Sequence, residues 1–309
     1  MLLMLVLSVQ HVSAATCVYL SSYHKGYEWN DGIERGMDKI LQGKCEVKKF
    51  YMDTKRNTDS LFGKKQAVNA KEFIISSKAD VIIAADDNAS RLVIKPFFKD
   101  KKIPIVFCGI NWTVDEYEYP YSNATGMIEV APILKTLKII RQVMTTPLQG
   151  IYLSSDVFTE YKDFDRYREV FSELGVELTA AFVKNKREWK KAYTAGQKAN
   201  FIVIANNAGI NDWDKEEIIK YVRNDSKVFT VTNYEWMMPY TIFGLIKQPE
   251  EQGEWAAQVA VAVLNGQLIS NIPIVINRKT NLFVNSNLLK RTAIKLPEHI
   301  WHKAIKVGQ

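Results

Sequence analysis

Residues that could do chemistry stand in clusters along this chain. The first half offers Ser21, Ser22, Tyr23, Tyr27 and Trp29, then Asp86, Asp87 and Asn88, then Asn111 and Trp112. The second half offers Ser154, Ser155 and Asp156, then Asn206 and Asn207, then Asn233, Tyr234, Glu235 and Trp236. These types suit noncovalent recognition of a small organic solute. Aromatic rings stack on a planar group, each contact contributing roughly 0.5–1.5 kcal/mol beyond its area. Asp87 or Glu235 would meet a cationic amine. Hydroxyls of Ser21, Ser22 or Ser154, or N–H groups at helix starts, would take a carboxylate. Asn206 and Asn233 both donate and accept. Plainer roles compete: Asp86 suits the cap of the next helix, Tyr23 a sheet-edge cover, and Trp112 the packing of a hinge.

Covalent chemistry is poorly provided for. The segment from Ser21 to Gly26 lacks the Gly-x-Gly-x-x-Gly spacing that a dinucleotide needs. No Gly-rich phosphate loop, nucleophile elbow or Cys/His ligand spacing appears. Asp86 and Asp87 are neighbours on a loop, and neighbours rarely converge as a catalytic pair. No catalytic residue, metal or cofactor is expected, and His299 and His302 read as the surface of a tail helix. The expected class is a binder, not an enzyme.

Every cluster follows an apolar run, so the runs must position them. The chain has 309 residues, 47% hydrophobic and 24% charged, which suits two ordinary globular domains. Its excess of 41 basic over 34 acidic residues is spread out, without the basic arm of a nucleic-acid binder. Residues 1–15, "MLLMLVLSVQHVSAA", read as a signal peptide ending in small residues. Export follows, and the residues before Cys17 do not suit lipidation. Cys17 and Cys45 each begin a strand-like run. If those strands are parallel neighbours, both lie at one sheet end, where an oxidising compartment allows a disulfide. Cys108 would then be unpaired.

Apolar runs such as "ADVIIAA" and "IPIVFCGIN" alternate with amphipathic stretches over the mature length. That alternation predicts parallel sheets covered on both faces. "VYLSSY" at 18–23 and "IYLSSD" at 151–156 open two similar halves. The expected fold is α/β: two doubly wound parallel-sheet domains joined by a three-strand hinge. The first lobe takes residues 16–126 plus 245–280; the second takes 127–244 plus 281–309. Strand ends of both lobes would then face one cleft.

The layout resembles the type 1 periplasmic binding proteins. More narrowly, it looks like the ABC-transporter substrate-binding family whose ligands include aromatic amino acids. The resemblance rests on the loop at 18–30, "ADVIIAADDNASRLV", "KIPIVFCGIN", "NATGMIE" and the end piece from "AAQVAVAVLNGQ" to "TAIKLP". It implies a monomeric periplasmic protein that closes on a small ligand, here an amino acid, and presents it to an ABC importer. The loop "SYHKGYEWNDG" is closer to members that work with a membrane sensor kinase or a diguanylate cyclase, which makes sensing the alternative. Asp86-Asp87-Asn88 stands where transport members often carry a Ser/Thr-rich turn.

Overall fold

The computed structural model describes residues 15–144 and 148–308. The expected signal peptide lies outside them apart from Ala15. Strands β1 (Thr16–Ser21), β2 (Glu46–Tyr51), β3 (Val81–Ala85), β4 (Ile105–Asn111) and β5 (Ala124–Glu129) arise in the first half. The second half gives β6 (Leu148–Ser155), β7 (Val176–Val183), β8 (Phe201–Ile204), β9 (Phe229–Thr232) and β10 (Phe243–Lys247). The tail adds β11 (Val275–Ile276), β12 (Thr280–Asn285) and β13 (Ile305–Val307).

Two sheets result, ordered β11-β5-β4-β3-β1-β2 and β13-β12-β10-β9-β8-β6-β7. All pairings in the first are parallel; in the second only β10–β12 is antiparallel. The cause is legible in β1, β3 and β4, which are largely apolar and buried along their whole length. Successive residues of β1 feed opposite cores. Cys17 and Tyr19 join one, while Val18 and Leu20 join the other.

Sheet membership shifts the lobe boundaries from 126, 244 and 280. β5 stays in the first sheet to Glu129, and β10 stays in the second to Lys247, since backbone pairing continues past the expected cuts. β12 likewise enters the second sheet at Thr280. The three crossings therefore fall at 130–132, 248 and 277–279. They are laced together. Val130 donates its backbone N–H to Asn277 Oδ1 (2.6 Å), and Asn277 Nδ2 donates back to the Val130 carbonyl (3.2 Å). Lys247, on the second crossing, donates to Glu129, on the first. β13, the short strand after the helix Glu298–Lys303, has no counterpart in the sequence expectation.

Cys17 and Cys45 form the disulfide that the neighbouring strands allow, with Cα atoms 6.0 Å apart. Cys108 is free and buried.

Helix Pro249–Leu264 returns from the second sheet to the first lobe and lies against Glu28–Leu41. Glycine makes this approach feasible. A Cβ at Gly253 would overlap the Ile33 carbonyl, and one at Gly36 would overlap the backbone of Glu250. We expect Gly253→Ala to force the helices apart and cost about 1–3 kcal/mol, the usual range for overpacking. Chemical denaturation of the two proteins measures it; an unchanged midpoint would refute the close-packing argument.

Candidate functional site at the seam between the lobes

The strand ends of both lobes meet, as the topology requires. Deep in their seam lies a cavity of about 10 Å³, room for a single water. Tyr23, Tyr27, Trp29, Asp86 and Asn111 face it from the first lobe, and Tyr234 from the second. Lys55, Glu129, Thr159 and Glu160 complete its wall. A second, open groove of about 660 Å³ adjoins the seam at Tyr27 and runs past Asn207, Glu235, Trp236 and Tyr240. The expected residues therefore divide between a buried polar hole and an aromatic mouth.

Local chain geometry aims them. Asp86 directly follows β3 and holds a left-handed backbone (φ 70°), a conformation that Asp tolerates better than most residues. It does not cap its helix as a free side chain would. Its Oδ2 accepts from Asn30 Nδ2 at 2.9 Å, and the residue is almost fully buried. Asp87 accepts from the Tyr117 hydroxyl (2.6 Å), from Asn111 Nδ2 (2.8 Å) and from Lys162 of the other lobe (2.7 Å). Trp112, also left-handed (φ 65°), donates its indole N–H across the seam to Asp163 (2.6 Å). Asn206 donates to the Tyr27 hydroxyl (2.8 Å), again across lobes.

Other expected residues serve the scaffold. Ser22 Oγ donates to the Ala85 carbonyl (2.7 Å) and accepts the Ala89 N–H (2.7 Å), so it caps the helix at Asp86. Ser21 Oγ accepts from Asn30 (2.8 Å). Ser154 donates to Glu160 (2.8 Å) and Ser155 to the Ala208 carbonyl (2.6 Å). These four hydroxyls are buried at strand ends and bonded within their own lobe, three of them (Ser21, Ser22 and Ser154) being those expected to take a ligand carboxylate. Asn88 donates to Thr54 (2.9 Å) within the first lobe, and Asn233 donates to Tyr167 (3.1 Å) within the second. Glu235 is exposed at the groove.

Charge dominates what sequence reasoning missed. Lys55, Glu129, Glu160, Lys162, Asp163 and Lys247 all enter the seam. Lys55 donates to Thr159 (2.8 Å), sits 3.9 Å from Glu160 and lies 4.6 Å over the Tyr23 ring. Thr159, Glu160, Asp163 and Tyr167 form the buried face of helix Phe158–Glu173. Their helical spacing was the available signal, as was the lone Lys ending the apolar β10.

Five carboxylates (Asp86, Asp87, Glu129, Glu160, Asp163) thus face three lysines (Lys55, Lys162, Lys247). Burial pushes Glu129 up to about 7 against the pull of Lys247, with Asp163 and Asp87 adding to the rise. Burial, then the Glu129 charge, raises Asp86, while Lys55 and Asn30 oppose it. Burial likewise raises Glu160, against Lys55. For Lys247 burial works downward, but Glu129 and Asp163 outweigh it and hold the ammonium above its ordinary value.

Among the described residues no cluster of His, Cys, Asp and Glu is arranged to hold a metal, and no helix is long and apolar enough to cross a membrane.

Lys162→Met removes two cross-lobe ion pairs, with Asp87 and with Glu116, but leaves Asp87 satisfied by Tyr117 and Asn111. Its expected effect is a more open unliganded protein at unchanged lobe stability, read as a larger radius of gyration in small-angle scattering. An identical scattering curve would mean that Lys162 does not help hold the lobes together.

The sequence matches the family model described as ABC transporter substrate binding protein over residues 22–308. No curated protein matches it. Among solved structures, it is similar to the ABC domain from Streptococcus pneumoniae in complex with L-Trp: TM-score 0.73, 14% identity, covering 96% of this chain and 100% of that one. A ligand-free, open substrate-binding protein with adhesive properties from Clostridium difficile gives TM-score 0.66 at 14% identity, covering 95% and 99%. A solute-binding protein from Clostridium phytofermentas with bound L-rhamnose gives 0.58 at 13%, covering 90% and 98%. The two-lobed α/β fold is shared with all three. The chain belongs to the ABC transporter substrate binding protein family.

Proposed function

We propose that this member of the ABC transporter substrate binding protein family captures a small organic solute with a protonated amine outside the cytoplasm and hands it to an ABC permease. An aromatic amino acid is the foremost candidate. One observation carries the reading: a carboxylate-rich hole adjoins, at Tyr27, a groove walled by Tyr27, Trp236 and Tyr240, at the meeting of two hinged lobes. The hole suits an ammonium and the groove a planar side chain. The L-Trp bound by the similar Streptococcus pneumoniae structure supports this choice, while the bound L-rhamnose of another marks the competing class. The disulfide supports an oxidising, extracytoplasmic compartment.

Binding works by closure. The seam as it stands admits one water, so an amino acid enters only when the lobes part. It then replaces direct cross-lobe bonds such as Asn206–Tyr27 with bonds to itself. The closed population rises by the difference in ligand affinity between the two states, and the permease reads the closed form.

Calorimetry of the mature protein with L-tryptophan, L-tyrosine, L-rhamnose and D-ribose tests the ligand class. Saturable binding of an aromatic amino acid is expected; binding confined to the sugars would overturn the proposal. The pH dependence tests the amine contact. Glu129 keeps its proton in the closed seam up to about 7, above the ordinary carboxylate range. A bound ammonium favours the ionised form, so binding expels that proton. Affinity should rise with pH across the interval between the ordinary range and about 7, by at most about tenfold per unit, and level off above it. A flat profile would remove Glu129 from contact with the amine.

A further inference from the structure

The indole of Trp29 is placed as no packing residue needs to be. It is 2% exposed, one ring face carries the Lys247 ammonium at 5.1 Å, and the Tyr234 ring meets it edge-on at 6.3 Å. Its ring is therefore already covered and cannot serve as the stacking wall that the sequence suggested. Its Nε1–H, by contrast, has no hydrogen-bond partner although it is buried, and the residue lines the seam cavity. Buried donors without partners are rare and costly. Trp189 Nε1 is also unpartnered, but Trp189 lies in the aromatic core of the second lobe, stacked on Tyr193 and packed on Trp213, away from any cavity. Of these two unpartnered indoles, only that of Trp29 belongs to a residue lining the seam cavity.

The surroundings say what it awaits. An N–H donor takes an acceptor, and two ammonium groups lie nearby, one over the ring and one on the cavity wall. Lys247 lies over the ring itself, and Lys55 lines the same cavity. A donor flanked by two cations selects an anionic oxygen. The carboxylates Asp86, Glu129 and Glu160 border the same small space, so a cation and an anion find separate partners within one hole.

Resting on the solute-binding reading above, we propose that Trp29 is a specificity-determining residue whose indole N–H, with Lys55, receives the carboxylate of an amino-acid zwitterion. The site then recognises the backbone end of the ligand by paired opposite charges. The side chain extends toward the groove at Trp236.

The Trp29→Phe variant keeps an aromatic ring and deletes the N–H. Calorimetry with L-tryptophan and with tryptamine, which lacks the carboxylate, separates the roles. The variant should bind L-tryptophan about 10- to 100-fold more weakly than wild type, the loss typical of a hydrogen bond to a charged group, and bind tryptamine unchanged. Equal weakening of both ligands would assign Trp29 to packing, and no weakening of either would give its N–H to a water; both outcomes overturn the proposal. Failure of wild type to bind L-tryptophan at all would instead strike the amino-acid reading itself and the Trp29 assignment with it. Should Trp29→Phe not fold, nitrogen-15 spectra of the wild-type indole groups decide. L-Tryptophan should move one buried indole N–H downfield and tryptamine should not; identical spectra with the two ligands refute the assignment.

Discussion

Five buried carboxylates set against two buried lysines and a third that is partly buried constrain everything else at the seam. Each ion taken from water carries a desolvation penalty of several kcal/mol unless it is paired and hydrogen-bonded. The structure meets this by drawing partners from both lobes. Asp87 takes Lys162, Asp163 takes the Trp112 indole, and Glu160 takes Lys55, Asn206 and Ser154. Neither lobe supplies every partner of its own charges. The lobes must therefore meet, or solvent must reach the groups, and a domain pair built this way has two states by construction.

The same constraint separates scaffold from site. Groups that find partners within their own lobe, such as Ser22 and Ser155, order strand ends and helix starts. Groups that find partners only across the seam, such as Tyr27 and Trp112, are released when the lobes separate. The second set is the one a solute can engage. Burial alone does not distinguish them, because both sets are nearly inaccessible; the address of the partner does.

The sequence made the fold legible because its strands are long apolar runs, and buried parallel strands must be so. It made the cleft's position legible because parallel strand ends share one edge. Tyr27, Trp29, Asp86 and Tyr234 reach the seam for that reason. The serines misled because a hydroxyl after a strand serves equally as a cap, and only the backbone path tells which N–H lies near. Lys55 escaped notice inside the charged loop "MDTKRNTD", where nothing separates it from solvent-exposed Arg56. Glu160 and Asp163 escaped because their helix reads as charged overall, and its buried face appears only once the opposite lobe covers it.

Helix Pro249–Leu264 begins one residue after β10 leaves the second sheet, and its glycine contacts clamp it to the first lobe. No slack separates the end of one body from the anchor of the other at this crossing. Lys247 and Glu129 lie beside it, on the axle rather than on the swinging jaws. A charge at an axle travels little while the jaws sweep far. This contact can therefore persist in both positions, whichever protonation state Glu129 holds as the jaws come together.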